Sequence, residues 1–218
     1  MGMEQLHDPE GNPVTITFRD RDEVFAFAQS CIVPLHIEGR KSIHTENWIL
    51  GRYLLARADV GLMMYPLTAI HAEHSKSPDY TLLEPRTRTC LEITEASTPD
   101  FHRELINNER GTDNHYELRP GWGGNQAEQE WASLVFDAIQ RKAAKLAKGD
   151  WNPADAYDLV IYDNARPPVF DSTVAREFLS DFLSRRSGFR TVSVITAGST
   201  QLFYDVEGER RTLPITPT

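Results

Sequence analysis

The run PDYTLLEPRTRTCLEITEA, residues 78 to 96, constrains the fold of this chain more than any other. It reads as two extended segments joined at Pro85-Arg86, and the second segment carries a carboxylate between Leu91 and Ile93. Alternate side chains of a strand point to opposite faces, so Cys90, Glu92 and Thr94 share one side while Leu91, Ile93 and Glu95 share the other. Apolar residues on both faces mark an interior strand. Glu92 is therefore expected at a covered surface, where a buried acid needs a partner.

The surrounding pattern is that of an α/β domain with a mixed sheet. DEVFAFAQSCI predicts a short helix from Asp22 to Cys31, and TENWILGRYLLARAD a second, with Thr45 as N-cap and Trp48, Ile49, Leu54 and Leu55 as packing residues. Met64 to Ile70 suits a short strand that Pro66 assigns to an edge. A long helix is expected over residues 127 to 148, followed by the buried-strand run YDLVIYDN, whose Asp158 and Asp163 are read as capping its turns. DSTVAREFLSDFLSRRSGF then predicts an amphipathic helix, capped by Asp171 or Ser172 and ended by Gly188, and RTVSVITAG with TQLFYDVEG a strand pair around Gly198. Residues 107 to 126 lack periodicity. A loop of that length is either a lid or a surface excursion, and its GWGGN lacks the preceding strand and the Lys-Ser/Thr pair of a phosphate loop.

With 218 residues and 40% apolar content, the chain is expected to form a single domain: residues 1–44 an N-terminal extension with a helix, 45–206 the core, 207–218 a tail. No apolar run is long enough to cross a bilayer and the N-terminus has no signal-peptide pattern, so a soluble, cytoplasmic protein without membrane association is expected. Cys31 and Cys90 lie in apolar surroundings and read as buried, reduced thiols. A net charge of −9 argues against strong non-specific binding to nucleic acid, which needs Lys and Arg on phosphates.

Chemistry is suggested by Asp79 and Glu92. If their strands pair, both carboxylates point into one cleft and can hold a divalent cation, with oxygen ligands suiting Mg²⁺ or Mn²⁺. On the long helix Trp131, Leu134, Val135, Ala138 and Ile139 form an apolar stripe, and Lys142 falls near its centre. Its ammonium either meets the two carboxylates or belongs to a solvated basic helix end favoured by the dipole. Glu46, in the first turn of the second helix, is a candidate third acid, although an acid there also stabilises a helix N-terminus. His71 and His74 form a possible zinc pair without the usual accompanying ligands.

Pro78-Asp79 and Glu92, within the wider phrases ENW, YPL, SPDY, LEITEA and DLVIYDN, resemble the PD-(D/E)xK nuclease superfamily, in an uncharacterised bacterial branch. The resemblance implies a restriction-endonuclease-like core, with a mixed central β-sheet flanked by helices. It also implies Mg²⁺-dependent hydrolysis of DNA or RNA, with Asp79 and Glu92 as metal ligands. Thr94 stands where the motif has Lys, and a hydroxyl cannot supply that positive charge. Lys142 is then the substitute, as in members of the superfamily that carry this lysine on a neighbouring helix. The alternative is an inactive nuclease-like binding or regulatory subunit, and either reading allows a homodimer or a partner protein.

Overall fold

The computed structural model describes residues 4–7, 13–33, 41–72, 78–96, 126–149, 151, 153–163, 173–174, 177–179, 188–196 and 199–204. Within them, eight strands form one sheet in which each lies beside its neighbours in sequence. The strands are β1 (Glu4–His7), β2 (Pro13–Phe18), β3 (Leu67–His71), β4 (Tyr80–Glu84), β5 (Thr87–Ala96), β6 (Ala156–Asp163), β7 (Thr191–Thr196) and β8 (Ser199–Tyr204). From β1 to β5 the pairing is antiparallel. The pairs β5–β6 and β6–β7 are parallel, and β8 returns antiparallel to β7. Parallel neighbours need a crossover. Between β5 and β6 it contains the long helix α3 (Gln126–Ala147).

Two further helices precede the central hairpin: α1 (Arg21–Ser30) and α2 (Ser42–Asp59). Asp20 caps α1, its carboxylate accepting from the Glu23 N–H at 3.0 Å. α2 begins before the expected Thr45, because the Lys41 N–H finds an acceptor in His44 Nδ1 at 3.2 Å and the first turn closes there. Gly51 lets α2 approach α1 closely. A Cβ at that position would lie 2.9 Å from the Ala28 Cα.

The sheet separates two apolar layers. On one side Phe18, Phe27, Leu50, Tyr53, Leu54, Leu82, Leu91 and Val160 pack with α1 and α2. On the other, Trp131, Val135 and Ile139 of α3 cover Leu159, Ile161 and Val194. The period of two in β5 thus turns Leu91 to the α1–α2 side, and the apolar stripe of α3 covers the other side of the sheet. Glu92 falls on the α3 side, beside Leu159 in the register with β6.

Several expectations are corrected. β3 is interior, paired with both β2 and β4, because Pro66 precedes its first residue and takes no part in the ladder. The N-terminal region contributes the β1–β2 hairpin as well as a helix. Asp158 caps no turn: it is fully buried in the sheet, and Asp163 is buried too. Cys90 is buried as expected, whereas Cys31 is half-buried; both are free thiols. Of the helix expected over residues 171 to 188, Thr173, Val174 and residues 177–179 are described and helical. Apart from Gln126, the long loop at 107–126 lies outside the described residues, as does His74. No helix among the described residues is long and apolar enough to cross a membrane.

Candidate functional site

Asp79 immediately precedes β4, and its neighbour Tyr80 pairs with Leu91. One step further along the hairpin, Asp79 stands opposite Glu92, on the face that α3 covers. Its Oδ2 accepts a hydrogen bond from the Ile93 N–H at 2.6 Å, which ties the carboxylate to β5. Ala72 N–H donates to the Asp79 carbonyl at 2.9 Å, which ties the same residue to the end of β3. The acid is therefore held by backbone on both sides.

Lys142 comes from α3. It lies three turns after Trp131 and one turn after Ala138, so the stripe that packs the helix also turns the lysine toward the sheet. Its ammonium is hydrogen-bonded to Glu92 Oε1. The Glu92 side chain is 6% exposed and that of Lys142 15%, so the pair is a largely dehydrated ion pair and not a surface contact. The long stem of Lys142 crosses the apolar layer to bring one positive charge to the paired carboxylates.

Glu46 occupies the second turn of α2, where its Oε2 lies 2.7 Å from His71 Nε2. The next helical residue, Asn47, accepts from the Tyr80 hydroxyl at 2.9 Å. Asp79 thus sits between β5 and the end of β3, within reach of the charges of Glu92, Glu46 and Lys142. Its pKa is raised to about 7, chiefly because burial penalises the carboxylate and next because the charge of Glu92 opposes a second negative charge. The Ile93 N–H and Lys142 pull the other way, and Glu46 adds to the upward push.

Of the residues expected at the site, Asp79, Glu92 and Lys142 converge, and Glu46 acts electrostatically on Asp79 from α2. Thr94 is half-buried on the same face of β5, one pleat beyond Glu92. His71, weighed as a zinc ligand, instead pairs with Glu46. Among the described residues, no group of three or more His, Cys, Asp or Glu is placed to hold a metal ion. Around the two carboxylates expected to hold Mg²⁺, the ammonium of Lys142 lies beside Glu92, and Glu46 is engaged by His71.

A second buried charge cluster was missed by sequence reasoning. Asp158 accepts from the Tyr53 hydroxyl at 2.7 Å and from Arg190 Nε and Nη2 at 3.0 and 2.5 Å. Arg57 Nη1 lies 3.9 Å away, and Arg57 Nη2 is 3.6 Å from Glu84. Burial first, and the Asp158 charge second, push the Tyr53 hydroxyl well above its ordinary pKa, so it stays a donor. Since Asp158 pairs with Leu91 in the register, this cluster lies on the α2 side and joins α2 to the sheet.

No family model and no curated protein matches this chain. A solved structure that does match is described as a protein of unknown function, PA4535, from Pseudomonas aeruginosa strain PAO1, of the monooxygenase superfamily. The two are 14% identical over 92% of this chain and 98% of that one, with a TM-score of 0.45. So distant a likeness carries no activity to this chain. The resemblance to PD-(D/E)xK nucleases, and the nuclease activity it implied, are corrected: no family model or curated protein of that kind matches. The physical reason is the brevity of the pattern. A Pro-Asp pair followed by a strand Glu is short enough to recur by chance, and the lysine that would distinguish the motif is Thr94 here.

Proposed function

We propose that this protein is an enzyme whose reaction turns on proton transfer at Asp79. The observation that carries this reading is a largely buried carboxyl, brought to a pKa of about 7 and set against the Lys142–Glu92 pair. A general acid–base works best when its pKa lies near the operating pH, because both protonation states are then accessible. As carboxylate, Asp79 takes a proton from the substrate or from a water, and as acid it returns one.

Lys142 supplies the complementary charge. One of its ammonium hydrogens is engaged by Glu92, which leaves donor capacity for an oxygen that becomes anionic when Asp79 removes the proton. A fixed ammonium in a dehydrated site stabilises such an anion more than a solvated one would. The substrate that suits this pair is a small polar molecule with a carbonyl or ester oxygen, its reacting group turning anionic in the transition state.

The test is a panel of small carbonyl compounds and esters in D₂O, followed by proton NMR for C–H exchange and for ester cleavage, with and without added Mg²⁺. Turnover by the wild type, rising through an inflection near pH 7 and lost in Asp79→Asn, supports the reading. Turnover by Asp79→Asn equal to that of the wild type refutes it.

A further inference from the structure

Trp48 and Arg52 are one turn apart on α2, and the Arg52 Cζ lies over the indole ring, 3.9 Å from its centroid. The Tyr162 ring, from the C-terminal end of β6, meets Trp48 edge to face with centroids 5.5 Å apart. Both rings pack against the apolar layer of α1 and α2, on the side of the sheet away from α3. All three side chains are half-buried.

Arg52 differs from the other arginines that are withdrawn from water. Arg57 and Arg190 both reach Asp158, and Arg57 also lies 3.6 Å from Glu84. Among the described residues, Arg52 has no carboxylate within ion-pair distance and no hydrogen bond. Burial lowers its pKa, and the first group to oppose the lowering, the Cys31 thiol, is itself pushed up to about 12 by burial and carries no charge at neutral pH. A guanidinium moved out of water without a counter-ion costs free energy. Its five N–H donors are then available to an anion that the protein does not itself supply.

We propose that Trp48, Arg52 and Tyr162 form a binding site for an aromatic molecule that carries an oxyanion. The guanidinium takes the oxyanion through two parallel N–H···O bonds, a geometry that carboxylate and phosphate share. The indole against which Arg52 lies limits the rotation of its fork, and the rings of Trp48 and Tyr162 take the apolar body of the ligand. The site is separate from Asp79 and does not depend on the reading given for that residue.

The probes are benzoate and phenyl phosphate, with benzamide as the uncharged analogue of benzoate and acetate as a carboxylate without a ring. Each is titrated into ¹⁵N-labelled protein, and the indole N–H of Trp48, assigned by its loss in Trp48→Phe, is followed by NMR. Benzoate or phenyl phosphate is expected to give a saturable shift, the tighter of the two naming the oxyanion. Binding of that probe weakens by about tenfold or more in Arg52→Gln, and benzamide and acetate bind the wild type about tenfold more weakly. Arg52→Lys, which keeps the charge and loses the fork, is expected to bind more weakly than the wild type. Thermal unfolding checks that each variant folds. No saturable shift with either anion, or equal binding by folded Arg52→Gln or Arg52→Lys, overturns the site. Benzamide binding as tightly as the anions overturns the role of the charge, and acetate binding as tightly overturns that of the rings.

Discussion

Lys142 and Glu92, fifty residues apart in sequence, share a hydrogen bond in the dehydrated layer between α3 and the sheet. Removing one partner of such a pair leaves the other charge buried without compensation. Lys142→Met is therefore expected to lower stability by about 3 kcal/mol at pH 7, read from urea unfolding. In the double variant Lys142→Met/Glu92→Leu most of that loss is recovered, because an apolar pair of similar volume needs no partner. Recovery, and not the single loss, distinguishes an uncompensated charge from lost packing.

Asp79 links stability to pH with a definite sign. Its carboxyl has a folded pKa of about 7 against a model value of 3.8, so between these values the native state holds the proton that the unfolded chain has released. Its contribution is fully present below the lower value and is lost as pH rises through about 7. Asp79→Asn keeps an acceptor for the Ile93 N–H and has no charge to release. The variant is expected to gain about 1 to 3 kcal/mol on the wild type at pH 8 and little at pH 4, as measured by denaturant unfolding at both pH values.

Asp158 is the fixed point of the second cluster. Tyr53→Phe removes one hydrogen bond to a buried charge and is expected to cost about 1.5 to 3 kcal/mol. Asp158→Ala leaves Arg57 and Arg190 without their shared carboxylate, with an expected loss of about 3 to 5 kcal/mol. A calorimetric melt should rank the two variants in that order.

The close approach of α1 and α2 makes Gly51 a packing position. Alanine is the better helix former by about 1 kcal/mol, but its Cβ would meet the backbone of Ala28 at 2.9 Å, where no flexible side chain can give way. Gly51→Ala is therefore expected to be net destabilising, by about 1 to 2 kcal/mol, and a lowered unfolding midpoint checks it.

Much of this architecture is legible in the residues. The alternation in TCLEITEA placed Glu92 and Thr94 on one face of an interior strand, and the stripe from Trp131 to Ile139 turned Lys142 inward, since both follow from fixed periods of 2 and 3.6. β1 and β2 were missed because PVTITF is short, begins with Pro and gains its meaning only beside β3. Asp158 was misjudged since a strand-flanking Asp ordinarily caps a turn. Its burial depends on Tyr53, 105 residues earlier, and on Arg190, 32 residues later. The pairing of His71 with Glu46, 25 residues earlier, likewise depends on where α2 packs, which no local pattern encodes. The nuclease resemblance rested on Pro78-Asp79, Glu92 and a few short phrases around them, and two acids on a hairpin satisfy its core without implying that chemistry.

The central claim is that burial and the opposing charge of Glu92 keep the Asp79 carboxyl protonated up to neutral pH. It is tested most directly by carbon NMR titration of that carboxyl in the wild type and in Glu92→Gln. The account predicts a midpoint near pH 7 in the wild type and a lower one in the variant, because the opposing charge is gone. A wild-type midpoint near 4, unchanged by the substitution, would contradict it.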